Sequence, residues 1–565
     1  MSRALTRTAV VASAFAIAAA TGSSAARADT AAIEARLRKL EAEIVKLRKE
    51  ARDAKVAAST KTTNVANAAT VQAIGATDPK LTPPPPPVFV SFKNGLFVET
   101  EDKAYSVKFG GRVLVDGGGA IQPETGLNSN VNFRQVWLQV EGRAARYWDY
   151  KLAYEFANTS AVGTLGGLRD AYLAFHHPAL TVPVVNTPLT VMIGNQWGPN
   201  GLETINTFLY TDFMERSLVS DTFGAGRHLG ASFSTYGSDW SVKGGVFSTS
   251  PQDKALAPAA SNPVPDWVNS KAGWVATGGA QYFEVAGRAT YAPVKDADKL
   301  IHLGLSGRYH QPNSSTGGND DRNLLLGAST NMESNILRTN LLGTPDLSCG
   351  AVVVSAHPAV AGNCVRDAFF YGAEFVGSYG PLSIQAEYMG AHYDRRGSNI
   401  LLANLAGNYA PGGTSQNFDG YYVYGTWYLT GESRAASYSV TNPNNPATFG
   451  QIKILKPLSA GGWGAWELGA RFSSVNLNDG PYSGTTFQNL LASAPNAATR
   501  AYIANSSVVG GSEQDVTVGV NWYPDDGIRF MANWTHVTSL TAPWNRAYLN
   551  GAHPDTFLLR TQVYW

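Results

Sequence analysis

The last eleven residues constrain this chain most. In Asp555–Trp565, Phe557, Leu559, Thr561, Val563 and Trp565 share one face of an extended strand, and Leu558, Arg560, Gln562 and Tyr564 share the other. The period of two and the length suit a strand that crosses a bilayer with its apolar face outward. A single strand cannot span lipid, because its backbone groups would stay unpaired there. The remaining chain must therefore supply a closed barrel.

The N-terminus reads as an export signal. Arg3 and Arg7 precede an uncharged apolar run from Ala9 to Ala20, and Ala26-Arg27-Ala28 is a cleavage pattern, so residues 1–28 are expected to be a signal peptide. Removing Arg3, Arg7 and Arg27 from 44 basic residues leaves 41 against 43 acidic ones, which argues against a nucleic-acid partner. Charged residues are only 15% of the chain, against an average of ~25%, and glycine and aromatics are abundant, as a lipid-facing barrel requires.

Residues 29–55 carry Ile33, Leu37, Leu40, Ile44, Leu47, Ala51 and Ala54 at alternating spacings of four and three. This heptad seam predicts a short periplasmic coiled coil; an amphipathic helix lying on another surface is the alternative. Residues 56–87 form a linker that ends in five consecutive prolines, Pro83–Pro87, a stiff spacer of roughly 15 Å at ~3.1 Å per residue. The barrel domain occupies 88–565. Within it, alternating segments begin at Ala104, Asn130, Tyr147, Gly166, Leu189, His228, Trp240, Gly278, Leu300, Asp367, Leu382, Asn417, Gly461, Gly511, Ile528 and Asp555. The expected fold is all-β, a sixteen-stranded transmembrane antiparallel barrel. A further hairpin over 88–99 leaves eighteen strands open. Tight connections such as Gly380-Pro381 alternate with long ones at 199–227, 251–277, 313–366, 397–416 and 479–510. Segments 178–188 and 434–460 fall where turns belong and are too long for them.

Several stretches, KNGLFVETEDKAYSVKFGGRVLVDGG (93–118), WDYKL (148–152), LRDAY (168–172), GNQWGPNGLE (194–203), FMERSLVSDTFGAGRHLG (213–230), GGWGAWELGARFS (461–473) and TVGVNWYPDDGIRFMANW (517–534), together resemble the phosphate-selective porin O/P family over residues 93–565. The resemblance implies a trimer of sixteen-stranded barrels in the outer membrane of a Gram-negative bacterium. It also implies an outer loop folded into each pore, which falls at 199–227. The expected function is a water-filled channel for small hydrophilic solutes and ions, anions such as phosphate among them. The alternative is a structural anchor that tethers the membrane to peptidoglycan through the coiled coil. The aromatic last residue resembles the signal read by the barrel-assembly machinery. Outer-membrane lipid and lipopolysaccharide, a homotrimer, that machinery and peptidoglycan are the partners this implies.

Selectivity in a pore comes from its width and from fixed charge. The lumen-facing basic candidates are Lys108, Arg112, Arg143, Lys151, Arg288, Arg308, Arg471, Arg529 and Arg560. They are interleaved with Glu141, Glu155, Asp170, Glu284, Glu374, Glu387 and Glu467, so lateral ion pairing competes with solute contact for each one. The constriction segment carries Glu203, Asp212, Glu215 and Asp221 against Arg216 and Arg227. This mixture predicts weak ion selectivity rather than a tight phosphate site. Replacing Glu203 with Gln and Asp212 with Asn is expected to shift selectivity toward anions with little change in stability. The two cysteines, Cys349 and Cys364, lie together in one long loop of an exported chain and are expected to form a disulfide, a contribution of roughly 3 kcal/mol. No zinc-type, nucleophile-elbow or phosphate-loop motif occurs; no cofactor, metal or enzymatic activity is expected.

Overall fold

A computed structural model describes residues 87–121, 129–157, 167–248, 283–311, 365–395, 415–480 and 508–565, apart from single residues, together with parts of 329–361 and 489–496. The signal peptide, the coiled coil, most of the spacer and both cysteines lie outside the described residues.

The main sheet has eighteen strands, two in an N-terminal hairpin and sixteen in a closed ring. The hairpin is β1 (Val88–Phe92) and β2 (Leu96–Thr100). The ring is β3 (Ser106–Ala120), β4 (Asn130–Ala144), β5 (Trp148–Glu155), β6 (Gly167–Val182), β7 (Thr187–Trp197), β8 (Arg227–Tyr236), β9 (Trp240–Ser248), β10 (Phe283–Lys295), β11 (Lys299–Gln311), β12 (Val365–Tyr379), β13 (Leu382–Arg395), β14 (Ser415–Tyr428), β15 (Ala465–Asp479), β16 (Val508–Tyr523), β17 (Ile528–Thr541) and β18 (Asp555–Tyr564). Each ring strand pairs antiparallel with the next, and β18 closes on β3 from Thr556↔Ala120 to Tyr564↔Arg112. The hairpin does not enter the ring. β2 pairs only with the first residues of β3, below the end of β18, so eighteen is the count of the sheet and sixteen that of the barrel.

Closure places the terminal aromatic residue on the seam. Trp565 N donates to Gly111 O and Gly111 N to Trp565 O, both at 3.0 Å. A Cβ at Gly111 would stand 2.6 Å from the Trp565 indole, so glycine is what lets the ring lie flat there. The C-terminal strand thus ends in a packed contact.

Alternation governs the rest, as period-two side-chain placement demands. On β11, Ile301, Leu303, Leu305 and Tyr309 are exposed on the outer face, while His302 and His310 are buried inside. On β15, Leu468 faces out, and Glu467 and Arg471 face in, nearly or wholly inaccessible. Aromatics stack along both ends of the outer face, as membrane-interface residues do. Trp148–Phe175, Trp466–Trp522 and Trp522–Phe530 lie at one end, and Tyr371–Tyr388 and Trp534–Phe557 at the other.

The two segments too long for turns resolve differently. Residues 178–182 extend β6 past a register irregularity and leave a turn at 183–186. Residues 429–464 instead leave the short-turn end of the barrel and fold back inside it. There Tyr438–Ser439 pairs with Thr448–Phe449 in a small ribbon. This inner ribbon accounts for much of the lumenal packing, with Tyr438, Val440, Ala447 and Phe449 buried against Leu202, Ala292, Leu300 and Val376.

Candidate pore constriction

The connection between β7 and β8, 198–226, lies inside the barrel. It contains two short helices, α1 (Leu202–Ile205) and α2 (Leu218–Phe223), the second capped by Ser217, whose side chain accepts from Ser220 N. Ile205, Phe208, Phe213, Leu218, Val219 and Phe223 are buried, and Leu209 is partly so. Phe213 meets the Tyr424 ring edge-on at 5.3 Å. A Cβ at Gly469 would lie 3.0 Å from the Phe213 ring, so the bare wall of β15 at that point is what seats the loop.

Charge pairs hold the loop at several points. Glu203 pairs with Arg471 at 3.1 Å and also accepts from Ser217 N and Oγ. Asp212 pairs with Arg434 of the inner ribbon at 2.8 Å and accepts from the Tyr424 hydroxyl at 2.7 Å. Glu215 takes Arg134 and Arg560, each at 2.7 Å, and Arg560 also pairs with Asp116. Burial alone would raise the Glu215 carboxyl pKa, but these two guanidinium groups outweigh it and hold the group below the ordinary carboxylate range. Arg216 donates to the carbonyls of Glu203 and Thr204. Arg227, at the start of β8, pairs with Asp170 at 2.6 Å. Asp221 alone among the loop's acids is exposed, and no ion pair to it is found among the described residues.

This geometry revises one expectation. Glu203 and Asp212 are both 5% exposed and sit in buried networks, so neutralising them cannot leave stability unchanged. Removing one partner of a buried pair costs about 3–5 kcal/mol. The loop's open charge is Asp221.

A second segment, from the same end of the barrel, joins the loop. The described residues of 329–344, in the connection between β11 and β12, place Glu333 inside the barrel, where it accepts from Leu218 N at 3.2 Å, from Ser473 Oγ at 2.6 Å, from Thr517 Oγ1 at 2.7 Å and from Arg471. From the opposite end, the inner ribbon is gripped by wall cations. Arg288, itself paired with Glu374 at 2.7 Å, donates to Pro446 O and Ala447 O, and Lys243 donates to Asn444 O. Three inserted segments therefore narrow the lumen.

The basic residues expected to line a pore take several different parts. Arg288, Arg471, Arg529 and Arg560 hold inserts: Arg529 donates to Thr211 O and Phe208 O, and Arg560 to Met214 O. Arg308 pairs with Glu284 at 3.1 Å and lies over Phe370. Arg143 pairs with Asp149 at the short-turn rim, and Lys108 and Lys151 flank Glu141. Arg112, Lys151 and Arg227 line a cavity of about 330 Å³ bounded by β3 to β9, the loop and the inner ribbon.

One edge of this cavity is a stack of alternating cations and rings. Arg112 lies 3.5 Å from the Trp137 centroid and Arg227 5.0 Å from it. Arg227 lies 4.3 Å from Trp197, Arg216 5.3 Å from Trp197, and Arg216 and Arg134 are 4.5 and 4.4 Å from Phe208. Cations on ring faces are held in place and partly stripped of water. Alternation along β4 places Arg134 outside; it turns inward because it is the extra residue of a bulge opposite Leu114 and Val115. Lys243, Arg434 and Glu333 were likewise unmarked by the sequence pattern. For Arg434 a signal existed, namely an overlong segment where a turn belongs. No group of three or more His, Cys, Asp or Glu is placed to hold a metal among the described residues.

The sequence model of the family described as "Phosphate-selective porin O and P" matches residues 107–565. An uncharacterized protein of Caulobacter vibrioides is 23% identical over 474 residues, covering 82% of this chain and 75% of that protein. Porin O of Pseudomonas aeruginosa is 21% identical over 465 residues, covering 79% of this chain and 86% of that protein. Among solved structures, an anion-selective porin from Comamonas acidovorans aligns over 82% of this chain and all of that one, with a TM-score of 0.42 and 9% identity. OmpT of Vibrio cholerae aligns over 82% of this chain and 98% of that one, at 0.41 and 11%. The chain belongs to the phosphate-selective porin O and P family and is an outer-membrane channel for small solutes.

Proposed function

We propose that this channel passes small hydrophilic solutes and ions with weak ion selectivity, through the gap between the constriction loop, the inner ribbon and the wall of β3 to β9. The observation that carries this reading is the pairing of charge in that gap. Arg227 is matched by Asp170, and Lys151 by Glu141, so the lining has no unbroken file of free cations. Stripping phosphate of water needs a dense set of free donors. Reversal potentials in planar bilayers under a potassium chloride gradient test the reading. A small anion preference is expected, and a chloride current blocked by micromolar phosphate would overturn it.

The exposed acid of the loop gives a sharper check. Asp221→Asn is expected to shift the reversal potential toward anions while the heat-modified gel mobility of the folded barrel stays unchanged. An unaltered reversal potential would remove Asp221 from the permeation path.

In this reading the short-turn end and the N-terminal segments face the periplasm. The 29–55 coiled coil and barrel contacts hold a homotrimer, and Cys349 and Cys364 are bridged in an outer loop. A heat-sensitive, SDS-resistant trimer is expected, and a folded band that runs as a monomer would count against it. Removing 29–80 should leave conductance intact; losing it from a folded barrel would instead favour an anchor whose coiled coil grips peptidoglycan.

A further inference from the structure

Most lumenal charge is matched, but two cations on the 330 Å³ cavity are not. Arg112, 7% exposed on β3, has no carboxylate at ion-pair distance among the described residues. Its Nη1 donates to Thr207 Oγ1 at 2.8 Å, and its Nε is buried with no hydrogen-bond partner. Lys243, 5% exposed on β9, donates only to two backbone carbonyls, those of Trp197 at 3.1 Å and Asn444 at 2.8 Å. Buried cations without an anion are costly, so a cavity that holds two is suited to a solute that brings negative charge. The wall between them carries five rings, those of Trp137, Tyr172, Trp197, Tyr210 and Phe449, set among polar side chains. Ring faces set beside placed polar and charged groups orient small organic ligands.

We propose that the cavity binds small organic monoanions, a carboxylate on a planar apolar body, with Arg112 as the carboxylate anchor and Lys243 as the second cation. This rests on the channel reading above. A guanidinium held flat against Trp137 keeps its N–H edge fixed, and that edge matches the two oxygens of a carboxylate. Inorganic phosphate fits the same place poorly. Asp170 and Glu141 already engage Arg227 and Lys151, which leaves two cations for an incoming anion, and phosphate has no apolar body to lay against the rings. The volume of about 330 Å³ lies in the range of small-ligand pockets and accommodates one ring with its carboxylate.

The probe is benzoate, added to purified channels in planar bilayers carrying chloride current, with acetate and inorganic phosphate as comparisons. Benzoate is expected to reduce the current in a saturable way, and acetate to need at least about tenfold more, since it lacks the planar body. Arg112→Gln and Lys243→Met should each raise the half-blocking benzoate concentration at least about tenfold, and Arg112→Lys by less, because it keeps charge but not the forked edge. Gel mobility before and after heating confirms that each variant is folded. If Arg112→Gln fails to fold, Arg112→Lys and Lys243→Met carry the comparison. A conducting channel indifferent to benzoate defeats the inference alone, as does equal block by acetate, stronger block by phosphate, or unchanged block in the folded variants. A folded chain that passes no current defeats the channel reading and this inference with it.

Discussion

Arg471→Met is expected to raise single-channel conductance severalfold while leaving the barrel folded. Arg471 is the junction of two inserts. It pairs with Glu203 of the constriction loop at 3.1 Å and with Glu333 of the 329–344 segment, and it donates to Glu215 O at 3.1 Å. Its guanidinium also lies 4.5 Å from the Phe213 ring. Methionine keeps apolar bulk against Phe213 but leaves two buried carboxylates without their cation. Breaking a buried pair from one side costs about 3–5 kcal/mol, and here two acids share the lost partner. The sheet does not depend on Arg471, because β15 keeps its backbone pairing with β14 and β16. The loss should therefore fall on the seating of the loops, which swing out and widen the path. Single-channel recordings and SDS gels of unheated protein check both halves. A variant with wild-type conductance and wild-type noise would show that Arg471 does not hold the constriction. Glu203→Gln should act in the same direction more weakly, since Glu333 keeps Arg471 paired.

The sequence carried the barrel because a lipid-facing strand repeats one rule along its length. Each ring strand has its alternation written locally, and most strands begin within three residues of where that alternation starts, as at Asn130, Trp240, Leu382, Ile528 and Asp555. Gly278 and Gly461 were the exceptions, with the described strands beginning at Phe283 and Ala465. Position 199–227 for the inserted loop came from family resemblance and strand order, and the loop does lie inside.

What holds the loop in place was not legible, for a physical reason. Arg471 and Glu333 are 138 residues apart, and Asn521 reaches Asp212 O across 309. Such pairs follow from a closed three-dimensional surface, and no local period encodes them. The expectation that Glu203 and Asp212 can be neutralised with little change in stability failed for the same cause, since both, like Glu215, are held by partners far along the chain. Arg134 was hidden by a bulge, which reverses the face that alternation assigns. Segment 434–460 was visible as an anomaly of length, but its direction, inward rather than along the membrane surface, depends on Arg288, Lys243 and His302 waiting on the wall.

That inner ribbon leads to the second large expected effect. Replacing residues 430–465 with a two-residue Asn-Gly turn should increase conductance and shift the reversal potential toward anions, with the barrel intact. The graft is geometrically permitted because the flanking strands already meet. Tyr428 pairs with Glu467, and Leu429 N donates to Trp466 O at 2.8 Å, so a tight turn can span the same gap. The deletion removes Phe449 and Tyr438 from the lumen and empties the space they fill beside Leu202 and Val376. It also frees Lys243 from Asn444 O and the Arg288 fork from Pro446 O and Ala447 O. Arg288 keeps Glu374 and Lys243 has no carboxylate to turn to, so positive charge is uncovered on the wall. Against this, Asp212 loses Arg434 and keeps the Tyr424 hydroxyl, which adds one uncompensated acid. Two wall cations, Lys243 and Arg288, are uncovered against one acid, which leaves the anion shift as the expected sign, and screening by salt should shrink it as ionic strength rises. Unchanged conductance in the folded deletion variant would mean that permeating ions do not pass the ribbon. A shift toward cations would mean that Asp212, not Lys243, sets the field where the path is narrowest.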